Sequence, residues 1–305
     1  MASWRSVALN KLLFRLMRGR LAKCNDVYGL RTVVAELEKL GSYISAPTAM
    51  EIISDQIAGV SCDWVSLGRG VGRRIILCFP GGGFCFRTPT IHAAALARLA
   101  QLTNSRGVLV NYRLAPEFPF PAAQQDGLAV YQQLLQDGYA AEDIVFLGDS
   151  AGANLAVTTM LLAREQGLPQ PAAALLLSPA VDMTVNGESA FLLREHDPFF
   201  DLGTLLLMRN SYLNGHCPCD PLVSPIFAEL QQLAPMMLHV GALEILRDDA
   251  VRLAAQVRRH GGEADLTIWP GMPHVFHLFD QLPEADEALR RMAQFIEQHS
   301  GQHDC

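Results

Sequence analysis

The sequence predicts an α/β protein with a mostly parallel central sheet, helices on both of its faces and a helical cap. Three observations predict it. Short apolar runs without alternation repeat from residue 63 onward, as expected of strands covered on both faces. Amphipathic stretches separate those runs, and strand–helix alternation builds parallel sheets. Half of the 305 residues are hydrophobic and 18% are charged, enough for one large core rather than a disordered chain.

Taken in order, residues 1–50 read as helical without strands. Leu12, Leu13, Leu16 and Met17 fall at helical spacing, which predicts an amphipathic helix packed on the body, the alternative being a helix lying on a membrane surface. Lys11 and Arg15 interrupt the apolar residues there, so no signal-peptide core is expected. The strand candidates are Asp63–Leu67, Arg74–Phe79, Gly107–Asn111, Ile144–Leu147, Ala173–Leu177, Met236–Val240 and Leu266–Trp269. Only a glycine-containing turn (Gly68, Gly70, Gly72) separates the first two, which predicts an antiparallel edge between them. Helical stretches are expected at 90–102, 122–137, 153–165, 248–260 and 284–299. In the last, Ala285, Ala288, Leu289, Met292 and Ile296 make one stripe. Residues 183–225 break the alternation as a cap insertion, with Leu205, Leu206, Leu207 and Met208 on its apolar underside. The core is then 51–182 with 226–305, and 1–50 forms an N-terminal cap segment.

A net charge of −7 without a basic stripe excludes a nucleic-acid binder by composition. No apolar run approaches the roughly 18 residues of a membrane span. Seven dispersed cysteines in a chain of this size predict reduced thiols and a cytoplasmic protein. His216, Cys217, Cys219 and Asp220 are too crowded to wrap one tetrahedral ion, so a loop and no metal are expected. Cys85 reads as packing.

Gly148-Asp149-Ser150-Ala151-Gly152 follows one strand candidate and opens a helix. A strand-to-helix turn this sharp calls for glycine two residues to either side of the serine and lifts Oγ above the sheet. Ser150 is therefore the candidate nucleophile. Pro80-Gly81-Gly82-Gly83-Phe84 follows an earlier strand, and its small residues leave backbone N–H groups able to meet a negative oxygen. Gly82, Gly83 and Ala151 are the candidate oxyanion donors.

Together these residues resemble the hormone-sensitive-lipase-like branch of the α/β-hydrolase superfamily. The matching pieces are Gly81–Phe84, Tyr112–Glu117, Pro119–Ala123, Gly148–Asn154, Asp220–Pro225, Leu246–Asp249 and Gly271–Phe276. The resemblance covers about residues 40–300. It implies an α/β-hydrolase fold and a serine carboxylesterase without a cofactor, acting on a small-molecule ester, with a homodimer compatible. Two positions depart from the pattern: Pro80 stands where the family has histidine, and Glu244 where it usually has aspartate.

The chain order Ser, acid, His leaves His260, His274, His277, His299 and His303 as candidate bases. His274 sits in the loop after the last strand and matches the family position; His277 is expected to start a helix or lie at the surface. Glu244 follows the strand Met236–Val240, whereas Asp248 and Asp249 fit a helix N-terminus better. The expected triad is Ser150, Glu244 and His274. Phe84, Phe199, Phe200 and Phe276 are expected to border a short- to medium-chain ester. An amidase, deacetylase or lactonase with the same triad, or a ligand-binding protein on this scaffold, remains open at this stage.

Overall fold

The computed structural model describes residues 2–45, 50–67 and 72–301. Gly68, Gly70, His303 and Cys305 lie outside the described residues. Eight strands form one sheet: β1 (Met50–Ile57), β2 (Val60–Leu67), β3 (Ile75–Phe79), β4 (Arg106–Val110), β5 (Ile144–Asp149), β6 (Ala173–Leu177), β7 (Met236–Gly241) and β8 (Ala264–Trp269). Their spatial order is β1-β2-β4-β3-β5-β6-β7-β8. β1 and β2 run antiparallel, as do β2 and β4, and every other pairing is parallel.

The helices are α1 (Trp4–Leu13), α2 (Gly19–Leu21), α3 (Val27–Ser45), α4 (Pro89–Leu102), α5 (Ala122–Gln136), α6 (Ala151–Glu165), α7 (Ser189–Leu192), α8 (Leu202–Leu213), α9 (Arg247–Arg259) and α10 (Pro283–His299). Absence of alternation in the strands has a simple cause. Ile75, Leu77 and Phe79 of β3 pack with α5, α6 and α9 on one face; Ile76 and Cys78 pack with α4 and α10 on the other. Both faces are dry, so every position is apolar. The parallel strands all end at one rim, and the loops leaving β3, β5, β6, β7 and β8 meet there. Open parallel sheets bind ligands at that rim.

Three expectations need correction. β1 was not foreseen, because all of its residues except Met50 and the buried Ile57 are exposed and its apolar residues do not alternate with its polar ones. It is held by pairing with β2 and by side-chain bonds such as Ser54 Oγ to Asp63 (2.6 Å) and Trp64 Nε1 to Asp55 (3.1 Å). The antiparallel edge exists, but β2 does not pair with β3. Both edges of β3 are taken by its parallel neighbours β4 and β5, so β2 joins the free edge of β4. Finally, α1 packs through Ser6, Leu9 and Leu13, while Leu12 and Leu16 point outward with the basic residues.

Candidate active site

The turn from β5 into α6 brings Ser150 to the rim with φ +54° and ψ −119°. Such a backbone costs a non-glycine residue about 1–3 kcal/mol and persists because its surroundings fix it. Here Ser150 N–H donates to Leu177 O (2.8 Å), and Ser150 O accepts from Ala153 and Ala180. Close approach explains the flanking glycine: a Cβ on Gly152 would lie 1.8 Å from Phe79 O.

The glycine loop lies alongside. Gly82 and Gly83 have φ of +127° and +58°, conformations natural to glycine. Among the described residues, the N–H groups of Gly82, Gly83 and Ala151 donate to no protein acceptor. Gly81 N–H is used: it donates to Asp149 Oδ1 (2.9 Å), which also meets His92 Nε2 (3.0 Å). Tyr112 OH donates to Pro80 O (2.6 Å), Ala115 N–H to Phe84 O (2.8 Å) and Arg31 Nε to Cys85 O (2.7 Å). With Pro80 in place of histidine, the loop is thus still fastened on both sides.

Glu244 and His274 form a buried pair, with His274 Nδ1 at 2.7 Å from Glu244 Oε2. The other oxygen, Oε1, accepts from Gly241 N–H and from Ser178 Oγ (2.7 Å). Burial is the largest influence on the His274 imidazolium and opposes it. The Glu244 hydrogen bond and charge, with Asp197 and Asp149 adding, outweigh it and raise its pKa. No hydrogen bond joins Ser150 Oγ to His274 here.

The competing residues are occupied elsewhere. His277 lies in the short 3-10 helix Phe276–Leu278, as one of its two expected places would have it, but it is buried rather than at the surface: its ring stacks on His239 at 5.4 Å with Nε2 3.3 Å from His239 Nδ1. Burial pushes the pKa of His277 well down and that of His239 to about 3, so neither has an acid to support a proton. Asp248 accepts from Ser189 N–H (2.8 Å) in the first turn of α9. Asp249 accepts from Val181 and Asp182 N–H, and burial pushes it up to about 7.

Phe199 and Phe200 lie edge-on to His274, at 5.7 and 5.2 Å between ring centres. Phe84 and Phe276 are both buried. Phe84 stacks on Tyr212 at 3.9 Å, and Phe276 is wholly buried with Trp269, Met272 and Leu282.

Residues 76–278 match a family described as having the alpha/beta hydrolase fold. The chain belongs to the α/β-hydrolase fold family. Within this family it is similar to an acetyl-hydrolase of Streptomyces hygroscopicus, 34% identical over 243 residues, 79% of this chain and 81% of that protein. An esterase of Acinetobacter venetianus is 33% identical over 268 residues, 87% of each chain. Among solved structures, an esterase from the bacterial hormone-sensitive lipase family superposes with a TM-score of 0.91 at 32% identity, covering 99% of this chain and 100% of that one. EstE5 soaked with p-nitrophenyl butyrate superposes with a TM-score of 0.89 at 33% identity, covering 98% and 99%. This α/β hydrolase is therefore of the hormone-sensitive-lipase-like branch and is a carboxylic ester hydrolase.

Two residues of this α/β hydrolase's rim were not singled out from the sequence. Ser178, wholly buried after β6, donates to Glu244 and accepts Val275 N–H (3.1 Å), so one hydroxyl ties the acid to the His274 loop. Asp197, also buried, accepts from Phe199 and Phe200 N–H with Oδ1 and from Ile245 N–H (2.9 Å) with Oδ2. The only local signals are a Ser-Pro after a strand and an Asp-Pro before two phenylalanines. Ser178→Ala is expected to lower kcat about tenfold at unchanged KM and to cost about 1–3 kcal/mol of stability, since Val275 N–H loses its acceptor. Parallel steady-state and urea-unfolding measurements check both; a loss of stability alone would make Ser178 purely structural.

Proposed function

We propose that this enzyme is a serine carboxylesterase for short- to medium-chain esters, acting through an acyl-enzyme. Ser150 Oγ attacks the ester carbonyl while His274 Nε2 takes its proton, and the former carbonyl oxygen becomes an oxyanion. The N–H groups of Gly82, Gly83 and Ala151 receive that charge, aided by the N-terminus of α6. His274 then gives the proton to the departing alcohol oxygen, leaving an ester of Ser150. Water repeats the sequence: its proton goes to His274, its oxygen to the acyl carbon, and Ser150 leaves with the proton returned. Glu244 holds His274 with its Nδ1 protonated throughout.

The observation that carries this reading is the dry 2.7 Å pair of Glu244 and His274 at the rim that also holds a strained serine and three free N–H groups. Such a pair fixes the imidazole tautomer and favours its cationic form. The serine-to-imidazole bond is expected to close on substrate, since such bonds are often long in free enzymes. Residues 183–225 and the described N-terminal residues 2–45 form the cap, and Phe199 and Phe200 border the acyl or alcohol group. A fluorophosphonate should label Ser150, and matched ester, amide and lactone substrates should show the ester turned over fastest. A faster amide or lactone would redirect the assignment while leaving the triad intact.

The raised pKa of His274 sets a pH dependence. Neutral His274 accepts the proton, so kcat/KM falls as pH drops through its pKa. Because Glu244 holds that pKa above the ordinary value of about 6.5, the acid limb is expected to have its midpoint above 6.5. A pH profile of kcat/KM checks it, and a midpoint below 6 would contradict the pairing.

A further inference from the structure

The outward face of the N-terminal helix is apolar where a soluble surface should be polar. Trp4 is 77% exposed, Leu12 53% and Leu16 51%, and Val7 and Phe14 are also exposed. The polar side chains Ser6 and Asn10 point the other way, into the body: Asn10 Nδ2 donates to Gly271 O (2.9 Å) and Ser6 is buried. Leu9 and Leu13 pack inward beside them, so this helix carries apolar residues on both sides rather than on the inward side alone. Interleaved with the apolar residues are Arg5, Lys11, Arg15, Arg20 and Lys23, all exposed. No acid occurs before Asp26, although the whole chain carries −7. Among the described residues, Lys11, Arg15 and Lys23 have no acidic partner; Arg20 pairs with Glu36, and Arg18 turns inward.

We propose that this face docks on a lipid surface bearing anionic headgroups. Exposed aromatic rings and aliphatic chains flanked by long cationic side chains suit the headgroup boundary: the apolar groups enter it while Lys and Arg reach the phosphates. Tryptophan is favoured at that depth. Charge selects this occupant over a second copy of the chain, because a two-fold contact would set the same uncompensated cations against each other. The placement also bears on the rim. Asn10 holds the loop that carries His274, and Arg18 donates to Asp197 O (2.6 Å) and Arg194 O in the loop that carries Phe199 and Phe200. A helix lying on lipid therefore sets the rim beside the interface. The inference does not depend on which residues perform the chemistry.

The test is co-sedimentation of the full chain with phosphatidylcholine vesicles, with and without phosphatidylglycerol, over a salt series. Binding is expected only to the anionic vesicles, weakening with salt, with a blue shift of tryptophan emission that Trp4→Ala removes. Replacing Lys11, Arg15 and Lys23 together by Gln is expected to weaken binding about a hundredfold, about fivefold for each cation. Circular dichroism and turnover of a soluble ester should be unchanged in these variants, which separates lost docking from lost folding. Failure to bind anionic vesicles, or binding that the triple variant retains, overturns the proposal. So does a concentration-dependent dimer that Trp4→Arg disperses, or binding to soluble polyglutamate without binding to vesicles.

Discussion

Ser150→Ala is expected to lower kcat by about a million-fold and to abolish labelling by a fluorophosphonate. The hydroxyl is lifted to the rim by a strained turn, and its removal deletes the acyl-enzyme rather than weakening one of its supports. The backbone donors of Gly82, Gly83 and Ala151 are untouched, so a residual acceleration over water of about a thousandfold should survive. Ala keeps a Cβ at φ +54°, so the fold and its strain should be retained. Ser150→Gly, by contrast, relieves that strain and should be inactive yet more stable than the native chain, by about 1–3 kcal/mol. A thermal melt beside an activated-ester assay reads both at once. Turnover by the Ala variant at more than a small fraction of the native rate would remove Ser150 from the reaction.

What the sequence makes legible follows the range of the forces involved. Strands β3 to β7 are visible as apolar runs because both faces are covered, and the turn around Ser150 is visible because its glycines answer a local clash. β1 is not, since only pairing with β2 holds it and its faces are wet. The neighbour of β2 depends on which edge of β4 is free, a property of the whole sheet. Ser178 and Asp197 escape for a similar reason: Ser178 meets Glu244 66 residues away, and Asp197, besides accepting from nearby Phe199 and Phe200 N–H, reaches Ile245 48 residues away. His277 reads as a helix-start or surface residue, and its burial escapes because a buried histidine pair has no one-dimensional signature. Motif order ranks the acid candidates but does not exclude Asp248 or Asp249, whose carboxylates accept from Ser189, Val181 and Asp182 N–H.

Glu244→Gln is expected to lower kcat by about ten-thousandfold, whereas Asp248→Asn should leave it nearly unchanged. The reason lies in how the two carboxylate oxygens are used. Oε1 accepts from two donors, Gly241 N–H and Ser178 Oγ, and Oε2 faces His274 Nδ1. In the glutamine variant the amide oxygen is drawn to the two donors, and the NH2 group must then face His274. Donor meets donor unless Nδ1 gives up its proton, so the imidazole switches tautomer and Nε2 carries the hydrogen. A protonated Nε2 cannot take the proton of Ser150. The loss, about 5 kcal/mol of transition-state stabilisation, therefore arises from a tautomer rather than from a missing contact. Glu244→Asp tests the same geometry differently: the charge stays, but the carboxylate withdraws by about 1.5 Å, one carbon–carbon bond, and lengthens the contact with His274. Its activity should fall between native and Gln, with the acid limb of the pH profile moved down because His274 loses support for its cation. If Asp248→Asn were the variant that lost several orders of magnitude, the acid would lie on α9, and the 2.7 Å pair would be structural.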